Sequence, residues 1–293
     1  MSDKVGFIGL GAIGRPMAAH VAGAFETRVW NRTAERAASF AREHAVDVAT
    51  DPSDLVSWAD VIITCLPTSA DVTGIVHQAE PAWQQGQLLV DATSGNPAEA
   101  RELAEWLAAR GVGFVDAPVS GGTSGAEEGN LTVMLGGEPP HIGRAETTVR
   151  PYAGKIRHVG PVGAGHALKA INNALLAVNI QAAGEGLAAL VKLGVKGAVA
   201  LEVINASSGY SNVSQNLIPE RVLTRAWPRT FRLALLDKDV GVALKVLEDT
   251  GVPHDTIAVA KQALGKARRV LGEEADHVEL IKEIEKAAGV VIE

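Results

Sequence analysis

Hydrophobic positions divide the chain into two parts with different periodicity. In the first, short apolar runs alternate with longer segments in which apolar residues recur at helical spacing. Each run is predicted as a strand, and near-continuous apolar runs are typical of strands buried on both faces of a parallel sheet. The predicted strands cover 4–9, 27–30, 61–66, 88–91, 114–116, 131–135 and 155–159.

The second part shows helical periodicity, with no strand pattern before the last few residues. Gly163 begins an Ala/Leu-rich segment that continues to about Lys192. Polar residues such as Glu185 interrupt this segment, so we interpret it as a buried core helix rather than a membrane span. We predict an α/β domain over 1–160 and an all-α domain over 161–293, joined by this long helix. The further helices are predicted at about 198–206, 217–224, 232–249, 254–271 and 276–288.

Composition narrows the classes of function. The chain has 293 residues, of which 47% are hydrophobic and 21% charged, so it suffices for about two globular domains. A net charge of -7, with no basic run, argues against nucleic-acid binding and against electrostatic attachment to membranes. Cys65 is the single cysteine, so we expect neither an intrachain disulfide nor a cysteine-based zinc site. With no signal-peptide pattern at the N-terminus, we expect a cytoplasmic protein.

A glycine-rich turn joins the first predicted strand to a helical pattern. In this context the glycines form the fingerprint of a Rossmann-type dinucleotide-binding domain. The first makes the tight turn, the second lets the backbone approach a pyrophosphate, and the third lets helix and strand pack closely. The phosphates would then lie at the helix N-terminus. The candidate residues are Gly9, Leu10, Gly11, Ala12, Ile13 and Gly14.

The residues after the second strand bear on the choice between NAD and NADP. An NAD site usually has an acidic residue here for the ribose hydroxyls, but this chain has Asn31, Arg32 and Thr33. The Arg32 guanidinium suits a 2′-phosphate, and its two neighbours could add hydrogen bonds, so we favour NADP. The alternative is that Thr33 caps the next helix while Arg32 is solvated.

Two further strand ends are candidates for the rest of the cofactor site. Ligands of doubly wound sheets bind beyond the carboxyl ends of the strands. Leu66, Pro67 and Thr68 follow one strand and Thr93 and Ser94 follow the next, so we expect them to face the ribose and nicotinamide. Ordinary strand-end turns are an equally good interpretation of these residues.

A glycine-rich loop after the fifth strand is the candidate substrate site. Ser120 is followed by Gly121 and Gly122, whose consecutive N–H groups could bind a carboxylate while the Ser120 hydroxyl adds a hydrogen bond. The alternative is a flexible turn without a ligand.

The candidate catalytic residues lie in the segment that Gly163 opens. Lys169 and Asn173 are four residues apart, so on a helix they share one face. Asn172 lies close beside them and is a candidate substrate-binding residue. A free lysine titrates near ~10.4, so Lys169 would need a lowered pKa to act as a base near neutral pH. The alternative is a solvated lysine. Lys238, near the start of a later helix, could reach the cofactor or form a surface ion pair.

Taken together, these motifs resemble the β-hydroxyacid dehydrogenase family, most closely its bacterial 3-hydroxyisobutyrate dehydrogenases. The resemblance covers essentially the whole chain and implies a Rossmann-type domain, a long linking helix and an all-helical domain that forms the oligomer interface. It implies metal-free, reversible oxidation of a 3-hydroxy acid to its semialdehyde, with Lys169 as acid/base. Residues matching Ser120, Gly121, Gly122 and Asn173 hold the substrate in that family, and the one matching Lys238 lies by the cofactor. The motifs span 9–14, 116–122, 163–173 and 238–239.

The expected function is therefore an NADP-preferring dehydrogenase of 3-hydroxyisobutyrate or a similar acid. The sequence from Asn31 to Thr33 resembles NADP-using members, several of which are semialdehyde or glyoxylate reductases, so tartronate semialdehyde or glyoxylate reduction is the alternative. An imine reductase and a non-catalytic cofactor-binding module rank lower, because imine reductases usually lack the lysine that matches Lys169 and the non-catalytic relatives have lost it. A homodimer or homotetramer is expected.

Overall fold

The computed structural model describes residues 3–293. The chain forms two compact units, Met1–Lys169 and Ala170–Glu293. Their boundary lies inside one long helix, whereas the domain boundary predicted from the sequence, at residue 160, coincides with the end of the strand before that helix. The first unit is an α/β domain and the second is helical, so the predicted fold class is confirmed.

The first unit is built on one mixed sheet in the order β3-β2-β1-β4-β5-β6-β8-β7, with β9 paired to β8. The first six strands are parallel, β8 runs antiparallel to β6 and β7, and β9 is parallel to β8. Two-residue strands such as β3 and β7 are too short to leave a periodic pattern and were not predicted. The strands are β1 (Val5–Ile8), β2 (Thr27–Trp30), β3 (Asp47–Val48), β4 (Val61–Thr64), β5 (Leu88–Asp91), β6 (Gly113–Asp116), β7 (Val119–Ser120), β8 (Leu131–Gly137) and β9 (Ala153–Gly160).

Helices cover both faces of this sheet, which explains the continuous apolar runs. Successive strand side chains point to opposite faces, so Phe7 and Ile63 belong to one hydrophobic core and Ile8 and Ile62 to the other. The first core is closed by α1 (Gly14–Ala22), α2 (Ala34–His44), α6 (Gly122–Glu127) and α7 (Pro139–Val149). The second is closed by α3 (Pro52–Trp58), α4 (Ser69–Gln78) and α5 (Pro97–Ala108).

The long helix α8 spans Ala164–Lys192, as the sequence predicted. Among the described residues it is the one helix that is long and apolar enough to cross a membrane, a test that a core helix also passes. Its residues Ala170, Ala174 and Ile180 are buried in the core of the second unit. One face of the helix therefore belongs to that core, while side chains such as Leu175 are exposed.

The second unit is helical at nearly the predicted positions. The predicted helix 217–224 is instead a π-helical segment that begins at Val213 and ends at Val222. The predicted helix 276–288 begins with a 3₁₀ turn, because Asp276 and Glu279 form a reciprocal capping box there. The helices are α9 (Gly197–Asn205), α10 (Leu233–Asp249), α11 (Asp255–Leu271) and α12 (Leu280–Ala288).

One buried carboxylate holds the segment before α10. Asp276, which is 2% exposed, accepts backbone N–H bonds from Thr230 (2.9 Å), Phe231 (3.0 Å) and Val278 (3.1 Å). Burial alone would raise the pKa of this carboxyl. The hydrogen bond and charge of His277, with the backbone N–H donors, outweigh burial and hold the pKa well below its ordinary value.

We expect Asp276→Ala to lower the free energy of unfolding by about 2–4 kcal/mol, because buried N–H groups lose their acceptor. The lowered pKa means that the carboxylate stabilises the fold above its unfolded pKa of about 3.9, and that this contribution disappears as the pH falls further. Denaturant unfolding between pH 3 and 7 measures both effects. Asp249→Ala removes an exposed carboxylate of α10 and is the control; an equal loss in both variants would contradict the prediction.

Candidate active site

The strand register brings four strand ends to one edge of the sheet. Ile8 of β1 pairs with Thr64 of β4, Thr64 with Asp91 of β5, and Asp91 with Asp116 of β6. The turns that follow these residues therefore lie side by side, beyond the carboxyl ends of parallel strands. This is the place where doubly wound sheets bind their ligands.

The glycine-rich turn after β1 has the geometry of a dinucleotide cradle. Gly9 has a φ of +106°, and a Cβ there would lie 2.3 Å from the carbonyl oxygen of Cys65. A Cβ on Gly14 would lie 2.0 Å from the carbonyl oxygen of Gly9, so helix α1 packs directly on the turn. Within residues 3–293, a Cβ on Gly11 would meet no heavy atom within 4 Å. The turn is thus packed against Cys65 and α1 at Gly9 and Gly14, whereas the space beside Gly11 is open, as a bound pyrophosphate requires.

The remaining residues of this turn have different environments. Leu10 is buried and Ile13 packs against the core, while Ala12 is exposed. The Leu10 N–H donates to Asn31 Oδ1 (2.9 Å), and Asn31 Nδ2 donates to the Thr33 carbonyl (3.0 Å). Asn31 therefore ties the glycine turn to the end of β2 with both atoms of its amide.

Arg32 and Thr33 project from the end of β2. The Arg32 side chain is 85% exposed and lies 4.0 Å from Asp71, at the limit of an ion pair. Thr33 occupies the N-cap position of α2, but its hydroxyl makes no capping bond within the described chain. Capping therefore does not account for Thr33, and Arg32 presents an exposed guanidinium at the expected place.

The turns after β4 and β5 use several of their polar groups internally. Thr93 is 1% exposed, and its Oγ1 accepts the Leu66 N–H (3.1 Å). Thr68 caps α4 by accepting the Asp71 N–H (3.1 Å) and donates to Asp71 Oδ2 (2.6 Å). Pro67 is exposed and Ser94 is half-buried. Leu66, Pro67, Thr68, Thr93 and Ser94 thus follow the carboxyl ends of β4 and β5, where the two threonine hydroxyls support the turns.

The loop predicted after β6 proves to be more ordered than the sequence suggested. Ser120 ends the short strand β7 and pairs with Thr132. Gly121 (φ +139°) and Gly122 (φ +67°) then make the turn into α6, which starts at Gly122. A flexible turn was the alternative interpretation of this segment, and pairing with β8 and the start of α6 give it regular secondary structure instead. Gly121 and Gly122 are exposed at the start of α6.

Sequence reasoning missed a buried group of charged residues beside these turns. Asp91 (2% exposed) accepts from Thr64 Oγ1 (2.8 Å), and its other oxygen lies 3.4 Å from Nε2 of the buried His166. Asp116 (0% exposed) accepts the backbone N–H groups of Gly163 (2.7 Å) and His166 (2.8 Å). An aspartate at the end of each of two apolar strands was the available signal, since buried carboxylates need partners.

The two carboxyl groups have pKa values displaced in opposite directions. Burial raises the pKa of Asp116, and the nearby His166 only partly opposes this. Burial also acts on Asp91, but the hydrogen bond and charge of His166, with bonds from Thr93, outweigh it and lower its pKa. Asp91 is thus the carboxylate that pairs with His166.

The predicted catalytic and substrate residues of α8 follow this group along the helix. Lys169 is half-buried and one turn after His166. Asn173, a further turn on, is 2% exposed, and its Nδ2 donates to Asp239 Oδ2 (2.7 Å). Asn172 is exposed and donates to Asn173 Oδ1 (3.2 Å).

Lys238 belongs to the second unit. Its Nζ lies 2.9 Å from Asp239, the buried carboxylate that also holds Asn173. The pairing is therefore with a buried partner rather than at an open surface. Asp239 belongs to the 238–239 motif, but it was assigned no role from the sequence.

Comparison with known proteins agrees with this geometry. Residues 4–160 match the family model of the NAD binding domain of 6-phosphogluconate dehydrogenase. Residues 163–284 match the NAD-binding domain of NADP-dependent 3-hydroxyisobutyrate dehydrogenase. The 2-(hydroxymethyl)glutarate dehydrogenase of Eubacterium barkeri is 32% identical over 99% of this chain and 98% of its own.

The chain belongs to the family of NAD(P)-dependent 3-hydroxyacid dehydrogenases. The human mitochondrial 3-hydroxyisobutyrate dehydrogenase is 31% identical over 85% of this chain and 77% of its own. The solved 3-hydroxyisobutyrate dehydrogenase of Mycobacterium tuberculosis, with L-serine, superposes with a TM-score of 0.90 at 30% identity, covering 97% of this chain and 99% of that one. As a member of this family, the protein is an oxidoreductase that acts on a CH–OH group and contains NAD(P)-binding domains.

We expect Cys65 to be inert in the folded protein, although it lies in the turn after β4. Burial, with a smaller contribution from the Asp91 charge, raises its pKa to about 12. At pH 8 roughly one thiol in 10⁴ would be ionised, and the thiolate is the reactive form. Alkylation by iodoacetamide should be at least about 100-fold slower in the native than in the urea-unfolded protein. Equal rates would show that the thiol is accessible and ionisable.

Proposed function

We propose that the protein is an NADP-preferring oxidoreductase that interconverts a small 3-hydroxy acid, 3-hydroxyisobutyrate or similar, and its semialdehyde. The observation that carries the proposal is the placement of the first turn of α8. This turn is hydrogen-bonded to Asp116 at the end of β6, on the same sheet edge as the glycine turn and the turns after β4 and β5. Lys169, one turn further along, is the ionisable side chain best placed to serve a substrate at that edge.

In this proposal the residues divide the work of binding and proton transfer. Ser120, Gly121 and Gly122 hold the substrate carboxylate at the start of α6. Lys169 accepts the hydroxyl proton during oxidation and returns it during reduction, while Asn173 orients the reacting group. The nicotinamide, when bound, supplies hydride transfer. Asn172, on the exposed side of α8, is a weaker candidate for substrate binding than Asn173.

The coenzyme would lie over the glycine turn, from Gly9 to Gly14. The exposed guanidinium of Arg32 and the absence of an acidic side chain at positions 31–33 support a 2′-phosphate, hence NADP over NAD. Leu66, Pro67, Thr68, Thr93 and Ser94 would border the ribose and nicotinamide. A contact of Lys238 with the coenzyme stays a prediction from the family resemblance.

Lys169→Ala should reduce turnover by about 10²–10⁴-fold and leave the Kd for NADPH within about twofold, because the substitution removes proton transfer but no part of the glycine turn. Steady-state rates and a fluorescence titration with NADPH measure the two quantities. Lys192→Ala, at the far end of the same helix, is the matched control. Parallel losses of turnover and coenzyme affinity would refute the acid/base role.

Arg32→Ala should raise the KM for NADP by about 10- to 100-fold, because a charge-assisted bond to phosphate is lost, and change the KM for NAD little. Arg42→Ala removes the same charge from the last turn of α2 and serves as control. If both coenzymes are affected equally, Arg32 does not read the 2′-phosphate.

Substrate identity separates this function from its alternatives. Initial rates with NADP and NAD should be compared for 3-hydroxyisobutyrate, 2-(hydroxymethyl)glutarate, L-serine, tartronate semialdehyde, succinic semialdehyde and glyoxylate. Preferred reduction of tartronate semialdehyde or glyoxylate would support the reductase alternative. Tight NADPH binding without turnover would support a non-catalytic binding module.

We further propose a homodimer or homotetramer in the cytoplasm. Exposed apolar side chains on the helical unit support an oligomer: Leu175 of α8 is 55% exposed, and Val199 and Val203 of α9 are 50% and 62% exposed.

A further inference from the structure

A carboxylate from the sheet caps the start of α8. The first backbone N–H groups of a helix have no partner within the helix and attract anions. Here Asp116, at the end of β6, accepts the N–H groups of Gly163 (2.7 Å) and His166 (2.8 Å), one on each oxygen. This end of α8 is therefore already occupied by the protein's own anion, and a substrate carboxylate must bind elsewhere.

Close packing against the sheet also restricts the position of the first turn of α8. A Cβ on Gly165 would lie 2.4 Å from the carbonyl oxygen of Met134 in β8 and 2.7 Å from Asp116 Oδ2. Real Cβ atoms do not approach backbone oxygens so closely, so the helix would have to move away from the sheet to accept any side chain. Gly165 thus lets α8 approach β6 and β8 closely.

A buried side chain provides the third constraint. His166 is 1% exposed, and its Nε2 lies 3.4 Å from Asp91 Oδ2 at the end of β5. The first turn of α8 is therefore attached to two strand ends, through its backbone to Asp116 and through the imidazole to Asp91. Neither attachment is needed for the helix as a whole, because good helix formers such as Ala and Leu fill most of it.

We infer that Asp116, Gly165 and His166 are positioning residues that set the place of the Lys169 backbone relative to the ligand-binding edge of the sheet. The inference rests on the proposed role of Lys169. Lys169 follows Gly165 by four residues, one helical turn, so a displacement at Gly165 is passed along the rigid helix to it. Misplacement of a reacting group by about 1 Å can reduce the rate by about 10²-fold. Because the proposed coenzyme site is the glycine turn before α1, attachment of α8 to the sheet should affect turnover rather than coenzyme binding.

Gly165→Ala tests the inference without changing any charge or hydrogen-bonding group. The matched control is Gly186→Ala on the same helix, where a Cβ would meet no heavy atom within 4 Å in the described residues. We expect Gly165→Ala to lower kcat, calculated per NADPH-binding site, by at least about tenfold. The KM for the hydroxy acid and the Kd for NADPH should change by less than about threefold. The control should match the wild type. Because NADPH binding counts folded sites, loss of folded protein cannot imitate the effect.

The His166 side chain allows a rescue experiment. His166→Leu removes the group that faces Asp91, whereas His166→Gln places an amide N–H at the same reach as Nε2. We expect His166→Leu to lose at least about tenfold in kcat per NADPH-binding site, and His166→Gln to recover most of it.

The outcomes separate this inference from the proposed function. If Lys169→Ala inactivates the enzyme but Gly165→Ala and His166→Leu both keep the wild-type kcat, the inference is overturned and the proposed function stands. Equal losses of kcat in the Leu and Gln variants would also count against it. No turnover by the wild type on any compound of the panel would overturn the proposed function and the inference together.

Discussion

The start of α8 is held by hydrogen bonds to a carboxylate that belongs to the sheet. Asp116 is fully buried, so its position at the end of β6 is tolerable only because two backbone N–H groups and the nearby His166 compensate its charge. The same bonds satisfy N–H groups that a helix start would otherwise leave unpaired. One buried interaction therefore satisfies both a strand end and a helix end, and the proposed catalytic lysine lies one turn beyond it.

Two helix starts at this edge of the sheet differ in what they can accept. The glycine turn before α1 leaves open space above Gly11, suited to a pyrophosphate. The start of α8 is closed by Asp116 and by the close approach of Gly165 to β8. Electrostatics alone would favour an anion at either helix. Sterics and the protein's own carboxylate leave the first available to the coenzyme and exclude anions from the second.

Hydrogen bonding also divides the polar residues near the strand ends into two groups. Asn31, Thr68 and Thr93 use their side chains to hold turns together. Arg32, on an exposed turn, and the exposed glycines after Ser120 are not used in this way. The first group shapes the turns, and in the proposed function the second contacts the ligands. A family motif contains both kinds of residue without distinguishing them.

Local patterns in the sequence determined most of the fold. Continuous apolar runs, the glycine spacing at 9–14 and the helical periodicity after Gly163 depend on neighbours along the chain, so strands, helices and coenzyme fingerprint could be predicted from them. The short strands β3 and β7, the π-helical segment and the pairing of Asp91 and Asp116 with the start of α8 could not. These depend on contacts between residues far apart in sequence, and a buried carboxylate has no local sign of which distant N–H group will satisfy it. Only the tertiary structure decided that.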